Sequence, residues 1–330
     1  MELNALGEFG LIELIKQDCI VDSSNVVVGI GDDAAVFIPT KNMLQLVSTD
    51  MLMEKIHFDL AFISPFQLGY KSLAVNLSDI AAMGGIPKQA VVSIALPKQI
   101  KPTFVLELYR GMKEIAHYFG VNIVGGDTVA SLSDIAINVT VIGEVTAEKL
   151  QKRSGAKCGD WVAVTGTLGS SAAGLALLQA GGYDACDFSD SLVNAHLMPL
   201  PQVVVANDIA NYSHSMNDIS DGLASEAKEV AIASEVGLRL YADKIPLSAD
   251  LIEASQVLKS SALDYALYGG EDYQLIFTIT PENYQSLKQC QLVNSITVIG
   301  EVTSKSGVVE LVQEDRQIVK LEPKGYNHFK

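Results

Sequence analysis

Three times in its first half this chain runs through β-forming apolar residues and then meets glycine or hydroxyl residues followed by acid. Val26–Val28 lead into Gly29-Ile30-Gly31-Asp32-Asp33-Ala34-Ala35-Val36. Met43–Val47 stop at Ser48-Thr49-Asp50, and 121–124 end in Gly125-Gly126-Asp127-Thr128. A strand that ends this way delivers polar side chains to the edge of a sheet, where binding sites are built. The glycines suit close approach to a phosphate, whereas the carboxylates would repel one. Both fit together if a divalent cation lies between carboxylate and phosphate. The pattern therefore calls for a sheet-based α/β fold with acids gathered at strand ends.

At 330 residues the chain can build two ordinary domains. A polar connection from Glu148 to Asp160 precedes a restart of the apolar pattern at Trp161–Thr165, which sets domains at 1–147 and 148–330. Helices are expected at 7–17, 65–83, 102–119, 173–178, 200–211 and 221–234. Strand-like runs lie at 90–96, 135–143, 236–241, 275–279, 296–299 and 308–312. Pro65 suits a first helical turn, and Gly84-Gly85 stop that helix. Its polar residues Ser72, Asn76 and Asp79 share one face of an otherwise apolar segment. They form either a buried face, whose carboxylate then needs a partner, or a solvent-facing strip. The turn from Gly166 to Ser171 opens a helix whose N–H groups could attract an anion, a weak signal by itself. Val-Ile-Gly-Glu-Val-Thr occurs at 141–146 and again at 298–303. A strand-turn hexapeptide can repeat by chance, so duplication carries little weight.

The formal charge of −16 argues against a nucleic-acid backbone as partner. No apolar stretch reaches bilayer length uninterrupted, and Met1–Asn4 hold neither a basic region nor an apolar run. A cytoplasmic protein without a membrane partner is expected. Four scattered cysteines make neither zinc spacing nor a disulfide framework.

The acids at turns are Asp32, Asp33, Asp50, Asp79, Asp127, Asp218 and Asp221. Each singly is an ordinary turn former or helix cap. Recurring across separate segments, without cysteine or histidine nearby, they suit magnesium, which completes its shell with water and nucleotide phosphates. The common nucleotide signatures are absent: there is no G-x-x-x-x-G-K-[ST], and the run from Gly29 fails G-x-G-x-x-G at its last position. No clear nucleophile arrangement is present either.

Gly29–Val36, Ser48–Leu52, Ile56–Phe58, Lys71–Gly84 and Gly125–Thr128 together resemble the thiamine-monophosphate kinases. So do Arg153–Asp160, Ser220–Leu223, Gly269–Tyr273 and Lys324–Phe329. The matches keep their order over nearly the whole chain. The resemblance implies a two-domain α/β fold of the aminoimidazole ribonucleotide synthetase type, with mixed sheets flanked by helices in each domain. It implies that the N-terminal halves pair into a homodimer and that ATP binds between domains. The implied reaction is direct in-line transfer of the γ-phosphoryl group of ATP to thiamine phosphate, giving thiamine diphosphate, with several Mg2+ ions. The acceptor oxygen is already ionised at neutral pH, so no general base or nucleophile is assigned; metals and positioning offset the repulsion between anions.

Carried over by matching motif, the metal ligands are Asp33, Ser48, Thr49, Asp50, Asp79, Asp127, Asp218 and Asp221. Asp32 is an outer contact or a turn former. Tyr109, Gly126, Asp127, Arg153 and Ser220 answer to ATP contacts, and Arg153 suits phosphate through its planar fork. His57, Glu271 and Tyr326 answer to contacts with thiamine phosphate, whose cationic ring Glu271 complements by charge and Tyr326 by stacking. Two positions depart from the family pattern. Ser170 stands where an acid is expected, so the 166–171 turn is assigned no ligand, and Val129 stands where a hydroxyl residue is commoner. The alternatives are another ATP-using enzyme of the same superfamily, or a magnesium-nucleotide binding protein without turnover. Cys19 sits in no glycine-rich loop, which lowers the selenophosphate synthetase reading.

Overall fold

The computed structural model describes residues 3–181, 189–289 and 296–324. Tyr326 and all but the first residue of the Lys324–Phe329 match lie outside the described residues. The chain divides into two compact units. One comprises the chain up to Ile80 together with Gly85–Ala147; the other comprises Ala81–Gly84 and the chain from Glu148 onward.

The first unit contains α1 (Leu3–Ile15), β1 (Val26–Val28), β2 (Val36–Phe37), β3 (Leu44–Met53) and all but the last two residues of α2 (Pro65–Ala82). These are followed by β4 (Ile86–Pro97), α3 (Pro102–Phe119), β5 (Asn122–Ser131) and β6 (Ala136–Val145). Helix α1 starts before the expected 7–17 and is interrupted by Gly7 at φ 68. Gly29–Ala35 is the connection of a small antiparallel hairpin, with Val28 opposite Val36. The main sheet has the order β3-β6-β4-β5, antiparallel except for the parallel β4–β5 pair. Two of its strands outrun the sequence expectation. Strand β3 continues through Ser48-Thr49-Asp50 to Met53, and β5 through Gly125-Gly126-Asp127 to Ser131. Continuous pairing with neighbours explains both: Leu44 to Met53 face Val145 to Ala136, and Gln89 to Pro97 face Asn122 to Ser131. Ladder hydrogen bonding overrides the local turn preference of these polar residues.

Helices α2 and α3 pack at close range through glycine. A Cβ on Gly69 would fall 1.8 Å from the Leu108 carbonyl oxygen, and one on Gly111 would fall 1.8 Å from that of Phe66. Arg110 covers the contact, its guanidinium 4.2 Å from the Phe66 ring centroid. Ser72 and Asn76 are buried on α2, so the polar stripe is an internal face and not a solvent-facing strip.

The second unit opens with β7 (Trp161–Thr165), α4 (Ser170–Ala180), α5 (Ser189–Leu197), α6 (Val203–Ile209) and β8 (Ser213–Ile219). Next come α7 (Leu223–Ala233), β9 (Gly237–Tyr241), α8 (Ala249–Leu258), α9 (Ala262–Tyr268) and β10 (Gln274–Ile279). The unit closes with α10 (Pro281–Leu287), β11 (Ile296–Thr303), β12 (Val309–Val312) and β13 (Ile318–Lys320). Its sheet has the order β13-β12-β9-β11-β7-β10-β8, antiparallel but for β12 beside β9. The core joins Val162 and Val164 of β7, Ile276 of β10 and Leu238 and Leu240 of β9 to Leu223, Ala227, Val230 and Ala231 of α7.

Helices α5, α8, α9 and α10 and strands β8 and β13 of this unit lie outside the expected elements. Three of these helices carry legible caps: Ser248, Ser261 and Thr280 each accept a hydrogen bond from the N–H three residues on. Strand β8 is too polar to read as a strand; its buried Ser215 hydroxyl is satisfied across the pair by Thr278 at 2.8 Å. Asn217 and Asp218 therefore stand on a strand and not in a loop between helices. No helix among the described residues is long and apolar enough to cross a membrane.

Candidate active site

In the first unit the pleat of β3 sorts its polar residues. Ser48 and Asp50 are half-buried on one face, and Val47, Thr49 and Met51 are exposed on the other. The Ser48 hydroxyl donates to the Asp79 carboxylate on α2. Burial and, after it, the charge of Asp79 push the Asp50 carboxyl up to about 6. Ser48, Asp50 and Asp79 thus come together as an all-oxygen group with a surplus of negative charge. Such donors fit a hard divalent cation, which would relieve the repulsion. Among the described residues no three His, Cys, Asp or Glu side chains converge to hold a metal ion.

The other candidates of this unit stand apart from that group in their local bonding. The Thr49 hydroxyl lies 2.9 Å from that of Thr140 and accepts from Asn138 Nδ2 at 3.1 Å, on the opposite face of β3. Asp33 is exposed in the β1–β2 connection, where its N–H donates to Asp32 Oδ1 at 2.8 Å, so Asp32 acts as a turn former. Asp127 is exposed on β5, opposite Ser93. Beside it Gly126 leaves no room for a side chain, since a Cβ would fall 1.9 Å from the Val92 carbonyl oxygen. His57 is half-buried; its Nδ1 accepts from the Met53 N–H at 3.0 Å, which puts the proton of the neutral ring on Nε2. Tyr109 is buried on α3, and that burial raises its phenol well above the usual range.

In the second unit three motifs meet. The Glu271 N–H donates to the Ser220 carbonyl at 2.7 Å, and the Tyr273 N–H donates to that of Ile219 at 2.9 Å. Glu271 and Tyr273 take φ of 66 and 50, a left-handed backbone that non-glycine residues adopt at a cost. Gly270 permits the contact, because a Cβ there would lie 2.5 Å from the Ser220 carbonyl oxygen.

Arg153 Nε donates to Asn217 Oδ1 at 3.0 Å, and Asn217 Nδ2 in turn donates to buried Glu226. Glu226 also accepts from the Asp221 N–H at 3.2 Å and the Ser220 hydroxyl at 3.4 Å. Burial, and then the nearby charge of Asp221, raise its carboxyl to about 7 against the hydrogen bond from Asp221. One carboxylate thus ties together Asn217, Ser220 and Asp221, and through Asn217 it reaches Arg153. Sequence reading missed Glu226; its signal was an acid in the first turn of α7 after Ser220-Asp221-Gly222. Asp218 is buried on β8 opposite Leu275.

The 166–171 turn is filled from within. Asp272 accepts from the Gly169 N–H at 2.6 Å and the Ser171 N–H at 3.2 Å, so the start of α4 already holds an internal anion. Burial nevertheless dominates and raises the Asp272 carboxyl to about 7.

Comparison with known proteins bears on the whole chain. Residues 31–145 match the AIR synthase related protein N-terminal domain, and residues 157–313 match the corresponding C-terminal domain. The thiamine-monophosphate kinase of Bacillus subtilis (strain 168) is 41% identical, covering 98% of this chain and 100% of that protein. The crystal structure of thiamine-monophosphate kinase from Stenotrophomonas maltophilia K279a aligns with a TM-score of 0.83 at 31% identity, over 92% of this chain and 96% of that one. The structure of AaThiL complexed with AMPPCP and TMP aligns with a TM-score of 0.80 at 35% identity, over 100% and 99%.

Proposed function

The chain belongs to the thiamine-monophosphate kinase family, and from that premise we propose that it phosphorylates thiamine phosphate at the expense of ATP, by direct in-line transfer assisted by Mg2+. The observation that carries the chemistry is the grouping of Ser48, Asp50 and Asp79. Two carboxylates, one of them raised by burial and then by the charge of the other, make a poor site for a bare anion and a good one for a cation that binds phosphate. The metal would supply charge neutralisation. The chain's own residues orient it: Ser48 fixes the Asp79 carboxylate, and the ladder between β3 and β6 fixes Asp50.

Asp33, Thr49, Asp127, Asp218 and Asp221 complete the proposed set of cation ligands. Gly126, Asp127, Arg153 and Ser220, with Tyr109, are the proposed nucleotide residues. What supports Arg153 and Ser220 is their attachment, direct or through Asn217, to the buried Glu226 carboxylate. His57, Glu271 and Tyr326 are the proposed contacts of thiamine phosphate. The family reading also makes residues 1–147 the metal- and ATP-binding and dimerisation domain and 148–330 the α/β domain that completes the ATP and substrate site, in a cytoplasmic homodimer. Exposed Val47, Met51 and Val129 on strands β3 and β5 support pairing through that sheet.

The test mixes purified protein with ATP and thiamine phosphate, with and without Mg2+, and follows products by phosphorus NMR. Metal-dependent thiamine diphosphate and ADP are expected. Nucleotide binding without thiamine diphosphate would reduce the protein to a binder.

A further inference from the structure

His196 lies in α5, a helix outside every motif that marks the site. Its ring is almost wholly enclosed, the side chain 7% exposed, yet Nδ1 stands 3.2 Å from Glu271 Oε2 and 3.1 Å from the Ser171 hydroxyl. A carboxylate only accepts hydrogen bonds, so at 3.2 Å a ring protonated at Nδ1 donates to Glu271. Glu271 is less enclosed than the ring, its side chain 28% exposed. The carboxylate is therefore backed by a buried donor.

The backbone around this contact is built to hold it. Gly174 lets α5 come against α4, since a Cβ at that position would fall 2.1 Å from the Leu192 carbonyl oxygen. That approach carries His196 to Ser171 on the first turn of α4. From the other side, Glu271 is held at φ 66 by its N–H bond to the Ser220 carbonyl. A residue in this conformation stays there only when its surroundings over-determine it. The side chain is then fixed by a second anchor on a different helix.

We infer that His196 is a positioning residue for substrate recognition: it holds the Glu271 carboxylate in the orientation from which it meets the cationic ring of thiamine phosphate. This rests on the proposed contact between Glu271 and that substrate. His196 touches neither substrate nor nucleotide in this role. Its effect falls on the affinity for the cationic substrate and leaves ATP binding alone, because the groups around Arg153 are anchored separately by Glu226.

Steady-state kinetics of His196→Asn, His196→Gln, Glu271→Ala and the His196→Gln/Glu271→Ala double variant test it. Asn places its amide N–H where Nδ1 stands, and Gln places it near Nε2. His196→Gln is expected to raise the KM for thiamine phosphate about tenfold while the KM for ATP stays within about twofold. His196→Asn should keep most of the wild-type KM, and His196→Gln should add nothing further in the Glu271→Ala background. Equal KM values for the Asn and Gln variants, or the same penalty in both backgrounds, would make the histidine merely structural. Should Glu271→Ala itself leave the KM for thiamine phosphate unchanged, the substrate contact fails and the inference falls with it.

Discussion

The Ser48 hydroxyl donates to the Asp79 carboxylate, joining strand β3 to helix α2 across 31 residues of chain. Asp50 lies two positions further along the same face of the strand, in reach of the same negative charge. A hydroxyl and two carboxylates so placed are a costly arrangement for an anion-only site and a ready one for a divalent cation.

On the proposed function, replacing either acid removes charge from the cation site. Asp50→Asn and Asp79→Asn should each lower the rate at least about tenfold, roughly 1.4 kcal/mol of transition-state stabilisation. The loss should be larger at subsaturating Mg2+. Rates measured across a magnesium titration check this; near-normal rates at limiting metal would mean that both acids serve only the fold.

Glu226 binds partners from Asn217 to Asp221, so its removal should cost both stability and nucleotide affinity. Glu226→Ala leaves the buried Asn217 amide without its acceptor, a loss of about 1–3 kcal/mol. Thermal denaturation should show a lower Tm, and the KM for ATP should rise more than that for thiamine phosphate. An unchanged KM for ATP would confine Glu226 to packing.

Asp272 provides a pH test. Its carboxyl is raised from the ordinary 3.8 to about 7 by burial, so the folded state binds the proton more tightly than the unfolded chain. Its stabilising contribution is full below pH 3.8 and is lost as pH rises through about 7. Asp272→Asn cannot titrate. Urea unfolding between pH 4 and pH 8 should show the wild type losing stability relative to the variant as pH rises. Parallel profiles would refute the assignment.

The contact between α2 and α3 leaves no space at its two glycines. Gly69→Ala and Gly111→Ala each place a methyl group 1.8 Å from a backbone oxygen, so the helices must separate. A loss of about 1–3 kcal/mol or more is expected, read as a lower midpoint of chemical denaturation. A midpoint within error of wild type would show that this crossing is loose.

The exposed side of β3 makes the proposed homodimer testable as well. Val47→Glu combined with Met51→Glu charges a face that is exposed in the single chain, so the fold should tolerate it. Light scattering should then report half the wild-type mass with unchanged circular dichroism. An unchanged mass would place the subunit contact elsewhere.

Much of this molecule was determined by the sequence itself. Periodicity and stop signals mark α2, α3 and most strands, and the ordered acids and glycines mark the family. Those signals are local: a face repeats every few residues, and a proline or glycine ends it. The tertiary structure decided what depends on distant partners. Ser48 and Thr49 look equivalent in sequence, but continuous pairing with β6 makes their segment a strand and sends the two hydroxyls to opposite faces. Strand β8 is not legible in the sequence because its buried Ser215 is satisfied by Thr278, 63 positions away. Glu226 and His196 gain their roles the same way, since a buried carboxylate or imidazole has no meaning until its partners surround it. A chain can write periodicity into neighbouring residues, but only folding brings together Ser171, His196 and Glu271.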